Sequence, residues 1–201
     1  FDELDNVTSE KGEWKQDSIE FSPDSIFYFV DDLFKDSEIL VCDDLGNEWA
    51  DHIAIKNNSI SFILSKYKKK CSLSASNFQD VIGQAIKNIG NLFPDDKTLK
   101  NKADKFSKCF EGTSIARCRK GNYEDFATKF REIRSNPNAI KYVCLAINFI
   151  SKKKFTEAIA NLENNNGLKQ KHSVIQMLWL LNGFISICKE KDLHCRIFCK
   201  P

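Results

Sequence analysis

No apolar run in this chain approaches the roughly 18 residues that a membrane span requires. The longest, "MLWLLNGFISIC", is interrupted by Asn182 and Gly183, so no membrane partner is expected. G-x-S-x-G, P-loop, H-E-x-x-H and dinucleotide-binding glycine patterns are missing as well, which removes most other enzyme classes. Charge of one sign is also lacking: 30 Lys and Arg face 28 Asp and Glu, for a net charge of +2. Any nucleic-acid contact must therefore come from local lysine clusters and not from an overall cationic surface. Eight cysteines are present, but they form no short Cys-dense framework and no CxxC pair. Cys42 in "EILVC" and Cys144 in "KYVCLAI" sit in apolar stretches, where a free thiol behaves as a small hydrophobe. A reducing cytoplasm is the simplest setting. His194, Cys195 and Cys199, with Cys188 before them, invite a zinc reading. However, "LHCRIFC" alternates like a strand, and a structural metal is not expected there.

What is present suffices for a folded domain. The chain is 42% hydrophobic, with 16 Phe among 201 residues, enough for an ordinary core. It opens on Phe1 and not on Met, so a segment of a larger multidomain chain is expected. Residues 1–21 are polar and acidic around a lone Trp14 and read as a leader or linker remnant. Residues 22–201 read as a single domain.

Within that domain, "SPDSIFYFVDDLF" (22–34) predicts a short helix with Ser22 as cap and Pro23 in its first turn. "SEILVCDD" (37–44), "EWADHIAI" (48–55) and "SISFILSK" (59–66) predict three strands. "KNNS" joins the last two as a hairpin, because Asn tolerates the positive φ of tight turns. Phe78, Val81, Ile82, Ala85, Ile86 and Ile89 then form one helical stripe behind serines able to cap it. Residues 96–135 read as a charged helical insert around "RCRK" (117–120). "AIKYVCLAINFI" predicts a buried strand, "KKKFTEAIANL" and "HSVIQMLWLLNGFISICKEK" helices, and "LHCRIFC" a closing strand. The order gives an α/β domain with a mixed central sheet flanked by helices.

The hairpin gathers the chemistry. With Asn57 and Asn58 as its loop, Ile53 faces Phe62 and Asp51 faces Leu64. Period-two alternation then puts Asp51 and Lys66 on one face as diagonal neighbours. Glu48, Asp43 and Asp44 are close in sequence. Clustered carboxylates suit a hard cation such as Mg²⁺ or Mn²⁺, and an adjacent lysine can neutralise charge developing on a phosphate. Lys68, Lys69 and Lys70 follow directly, placed to grip a phosphate backbone. His52 should point to the opposite face and reads as structural.

An acid on the second strand, a hairpin, a third strand ending in lysine and a following helix together resemble the PD-(D/E)XK nuclease superfamily of restriction-type endonucleases. The likeness covers residues about 22–92. It implies a restriction-endonuclease-like core, with Asp51 ("GNEWADHIAI") as metal-binding aspartate and Lys66 ("FILSKY") as catalytic lysine. The backbone carbonyl of Ser65 is implied as a metal ligand, and Gln84 and Lys87 of "DVIGQAIKN" as polar groups for water, phosphate or DNA. Leu64 stands where the family has an acid, so Glu48 is expected as the second ligand. The implied function is a Mg²⁺-dependent DNA endonuclease domain of a larger prokaryotic restriction or antiviral-defence protein. The rival expectations are a catalytically inactive version that binds nucleic acid or a protein partner, and an assembly module making homo-oligomers through the helix around Trp179 and Leu180.

Overall fold

The computed structural model describes residues 1–163 and 171–201. Helix α1 (Ile26–Leu33) begins later than Ser22 suggested. Ser25 is its cap, with extended backbone and an oxygen that accepts the Tyr28 N–H at 3.1 Å. Ser22 and Thr8 both donate their hydroxyls to Asp24, tying the turn before the helix to the N-terminal segment.

Strands β1 (Ile39–Cys42), β2 (His52–Lys56) and β3 (Ser59–Lys66) form an antiparallel meander. The hairpin register is the one alternation requires: Lys56 opposite Ser59, Ile53 opposite Phe62 and His52 opposite Ile63. Asn57 has φ 52°, in the left-handed region that Asn tolerates. Helix α2 (Ala75–Asn88) follows, capped by Ser74. The segment expected as a helical insert contains α3 (Asp96–Ala103) and α4 (Tyr123–Ser135), but between them Cys118–Lys120 forms strand β4 on the edge of β1. Gly121 permits that pairing. Its φ is +78°, and a Cβ there would stand 2.2 Å from the Glu38 carbonyl oxygen.

Strand β5 (Ile140–Ser151) lies parallel to β3, with Lys66 opposite Ile147. Helices α5 (Lys152–Glu163) and α6 (Lys171–Glu190) precede β6 (His194–Lys200), which is parallel to β5. Among the described residues the sheet has the order β4-β1-β2-β3-β5-β6. It is a mixed sheet in an α/β fold, as the sequence predicts. None of the eight cysteines is in a disulfide. No described helix is long and apolar enough to cross a membrane.

Alternation sorts the core into two layers. Ile53, Ile55, Phe62 and Leu64 meet Phe78 and Val81 of α2, Phe126 and Phe130 of α4, and Met177 and Phe184 of α6. Ala54, Ile63, Cys144 and Ala146 meet α1 through Ile26, Phe29 and Val30. The polar N-terminal segment belongs to this second layer: Leu4 and Val7 are buried against α1, and Phe21 packs on Phe27 and Phe110. Helix α6 is only half core, and Trp179 is 73% exposed.

Candidate metal centre

The acids expected near the hairpin mouth do converge. Asp44, Glu48 and Asp51 are all half-buried, and a carboxylate oxygen from each lies within 4.8 Å of the others. Asp51 sits one residue before β2, not inside it. Its Oδ2 accepts the Ser65 N–H at 2.6 Å while its carbonyl accepts the Asp43 N–H at 2.8 Å. Side chain and backbone of one residue thus pin the loop 43–51 between β1 and β3. The loop is braced from behind by Asp43, whose Oδ2 accepts the Trp49 N–H at 2.8 Å and whose Oδ1 is 2.5 Å from Lys102 Nζ. Lys102 of α3 also donates to the Asn47 carbonyl at 2.9 Å and lies over the Trp49 ring.

Burial raises Asp43 to about 6, with Lys102 holding it back; burial likewise lowers Lys102, with Asp43 opposing. Burial also raises Asp51 well above the usual carboxylate range. The Ser65 N–H opposes that shift, while Glu10, Glu48 and Asp44 add to it. Glu48 is raised by burial and by Asp44, with Lys11 and Lys87 acting in the other direction. Asp44 adds to the upward shift of both Asp51 and Glu48, so the cluster is short of positive charge.

Two residues of the N-terminal segment enter this site, and no local sequence pattern points to them. Lys11 Nζ is 2.5 Å from Asp44 Oδ2. Burial pulls the Lys11 ammonium down, but its ion pair with Asp44 wins and the net shift is upward. Glu10 Oε2 is 3.7 Å from Lys66 Nζ and accepts the Tyr67 N–H at 3.1 Å.

No protein-family model, curated protein or solved structure matches this chain.

The acidic triad itself could hold a metal ion. Its donors are all oxygen, the preference of hard divalent cations, and among the described residues Lys11 is the one ammonium in ion-pair contact with it. The other residues singled out in the sequence are distributed around it. Lys66 ends β3 with its ammonium directed to Glu10. Ser65 contributes its backbone N–H to Asp51. Lys87 is exposed on α2 and near enough to Glu48 to favour its ionised form. Gln84 is half-buried one turn earlier, and its side chain makes no hydrogen bond among the described residues. Lys68 pairs with Asp80 at 3.2 Å, whereas Lys69 and Lys70 are exposed. Leu64 is 3% exposed inside the core. His52 lies on the far face, fully buried against the Phe27 and Phe21 rings.

Proposed function

We propose that this domain is a divalent-metal-dependent phosphodiester hydrolase acting on DNA, with Asp44, Glu48 and Asp51 holding Mg²⁺ or Mn²⁺ and Lys66 assisting attack. The convergence of three carboxylates at the mouth of the β2–β3 hairpin, beside the strand end bearing Lys66, carries this reading. The order α1, meander, α2 and parallel β5 suits the restriction-endonuclease-like expectation.

A bound Mg²⁺ would polarise a phosphate oxygen and make its own water more acidic. Asp51, fixed by the Ser65 N–H, presents its free oxygen to the site. Glu48 takes the place of the acid that β3 lacks at Leu64, and Asp44 adds a third carboxylate, with Lys11 having to yield to the ion. Lys66 neutralises charge on the phosphate undergoing attack. Gln84 and Lys87 orient water and phosphate from the α2 side. In this reading the domain works in the cytoplasm as part of a larger prokaryotic restriction or defence protein.

The test is cleavage of supercoiled plasmid with Mg²⁺ or Mn²⁺ by the intact protein, beside Asp51→Asn and Lys66→Ala. Each substitution is expected to slow cleavage by about 100-fold or more, and Asp51→Asn to abolish metal-induced thermal stabilisation. Equal cleavage by all three proteins removes the assignment. Leu64 in the core favours one second reading, a non-cleaving domain that binds nucleic acid or a protein partner. Plasmid binding without cleavage under either metal selects it.

A further inference from the structure

The hydrolase reading leaves a second lysine triplet, Lys152–Lys154, without a role. Its placement is set by the sheet. Because β3 and β5 are parallel, with Lys66 opposite Ile147, both chains leave the sheet over the same edge. Strand β3 runs out into Lys68, Lys69 and Lys70. Strand β5 runs out through Ser151 into Lys152, Lys153 and Lys154, the first residues of α5.

The two exits are tied together. Asn148, only 4% exposed, accepts the Lys68 N–H through Oδ1 at 2.8 Å and donates Nδ2 to the Lys68 carbonyl at 3.0 Å. The Ser72 N–H adds a bond to the Phe149 carbonyl at 3.0 Å. A buried amide bonded through both its oxygen and its nitrogen therefore fixes the backbone of a lysine segment that water alone could have solvated.

Lys69, Lys70, Lys152, Lys153 and Lys154 are all exposed. None of them forms an ion pair among the described residues, whereas Lys66, Lys68 and Lys200 on the same edge have Glu10, Asp80 and Asp5. Helix α5 opens on three cations with no acid in its first turn, against the sense of its dipole. Like charges held side by side at one edge raise the local potential and attract a polyanion. The exposed large apolar side chains among the described residues, Phe1, Ile19, Phe93, Ile140 and Trp179, lie outside both triplets, and the first triplet begins two residues after Lys66 at the end of β3.

We propose that the two triplets form one ridge that binds the sugar-phosphate backbone of a nucleic acid, with Lys152–Lys154 as the half farther from the carboxylates. That the bound strand is also the one cut rests on the hydrolase reading; the binding itself does not.

The experiment is anisotropy with labelled duplex DNA and duplex RNA in EDTA, between about 50 and 200 mM salt. Intact protein is compared with K152Q/K153Q/K154Q, K69Q/K70Q and Asp51→Asn, each checked for folding by circular dichroism. Each lost phosphate contact lowers the slope of log K against log salt by about 0.9, so the triple variant should be shallower by about 2–3. K69Q/K70Q should be shallower by about 1–2, and Asp51→Asn should bind at least as well as the intact protein. A matching loss on DNA and RNA supports the ridge, and the tighter of the two identifies the natural backbone. Unchanged affinity and slope in the triple variant overturn it, as does binding to anionic vesicles but to neither duplex. If the triple variant loses binding while intact protein cuts nothing under any metal, the ridge stands and the hydrolase reading falls. If cleavage depends on Asp51 while the triple variant binds and cuts normally, the reading stands and the ridge falls.

Discussion

Asp43 and Asp44 are neighbours in the chain, yet the molecule treats them in opposite ways. Asp43 turns inward, where Lys102 and the Trp49 N–H take its two oxygens. Asp44 turns instead to Glu48 and Asp51, and among the described residues Lys11 is the one cation in ion-pair contact with these three carboxylates. The far face of the sheet repeats the inward pattern. There Arg119 Nε is 2.7 Å from Asp31 Oδ2, beneath a fully buried His52 whose Nε2 is 3.7 Å from Oδ1, too far for a hydrogen bond. Burial pushes His52 down to about 3, with Arg119 adding to the shift, so it stays neutral. Acids closed by a cation hold the fold together, whereas acids left open to one another keep a site available for a cation from outside.

Breaking a closed pair should have the largest effect. Lys102→Met leaves Asp43 buried without its partner and is expected to cost about 3–5 kcal/mol in urea unfolding. Adding Asp43→Asn should recover much of that loss; no recovery would mean that Lys102 acts through packing on Trp49.

Asp31 gives a smaller effect with a definite sign. Burial, opposed by Arg119, raises its carboxyl from 3.8 to about 6. Between about pH 4 and 6 the unfolded chain ionises this group while the folded chain keeps it protonated, so its contribution falls as pH rises. Relative to Asp31→Asn, wild type should lose at most about 3 kcal/mol across that window and nothing further above it. A difference that grows with pH would contradict the assignment.

Glu10→Gln removes a part-exposed ion pair with Lys66 and should change stability by only about 0–1 kcal/mol. Plasmid cleavage should nevertheless fall, because Lys66 loses the carboxylate that holds it. Smallest of all, Glu48→Gln without metal should shift stability by no more than about 0.5 kcal/mol, or raise it, since it relieves repulsion with Asp44 and Asp51. A large destabilisation there would place Glu48 among the closed acids and end the contrast.

Much of the fold was legible because its signals are local. Alternation in "HIAIK" and "SISFILSK" set the hairpin register, Asn57 marked its turn, and the stripe from Phe78 to Ile89 marked α2. The errors are also local in origin. Ser22 resembles a cap, but Ser25 takes that place once Ser22 bonds to Asp24. "RCRK" carries no strand pattern and becomes β4 only because Gly121 lets it approach β1. In the candidate site, the closeness of Asp44, Glu48 and Asp51 was legible from their positions around the hairpin. Lys102, Glu10 and Lys11 were not, since nothing in their own neighbourhoods distinguishes them from solvated charges.

Which residues alternate, where the hairpin turns and which face of each element is apolar are written in the chain, because these follow from backbone geometry over a few residues. Which charges meet follows from the packing of elements distant in the chain. Glu10 reaches Tyr67 across 57 positions and Lys102 reaches Asn47 across 55. Contacts at such separations are set by how the sheet and its covering layers close on one another, and they leave no periodic trace in the chain.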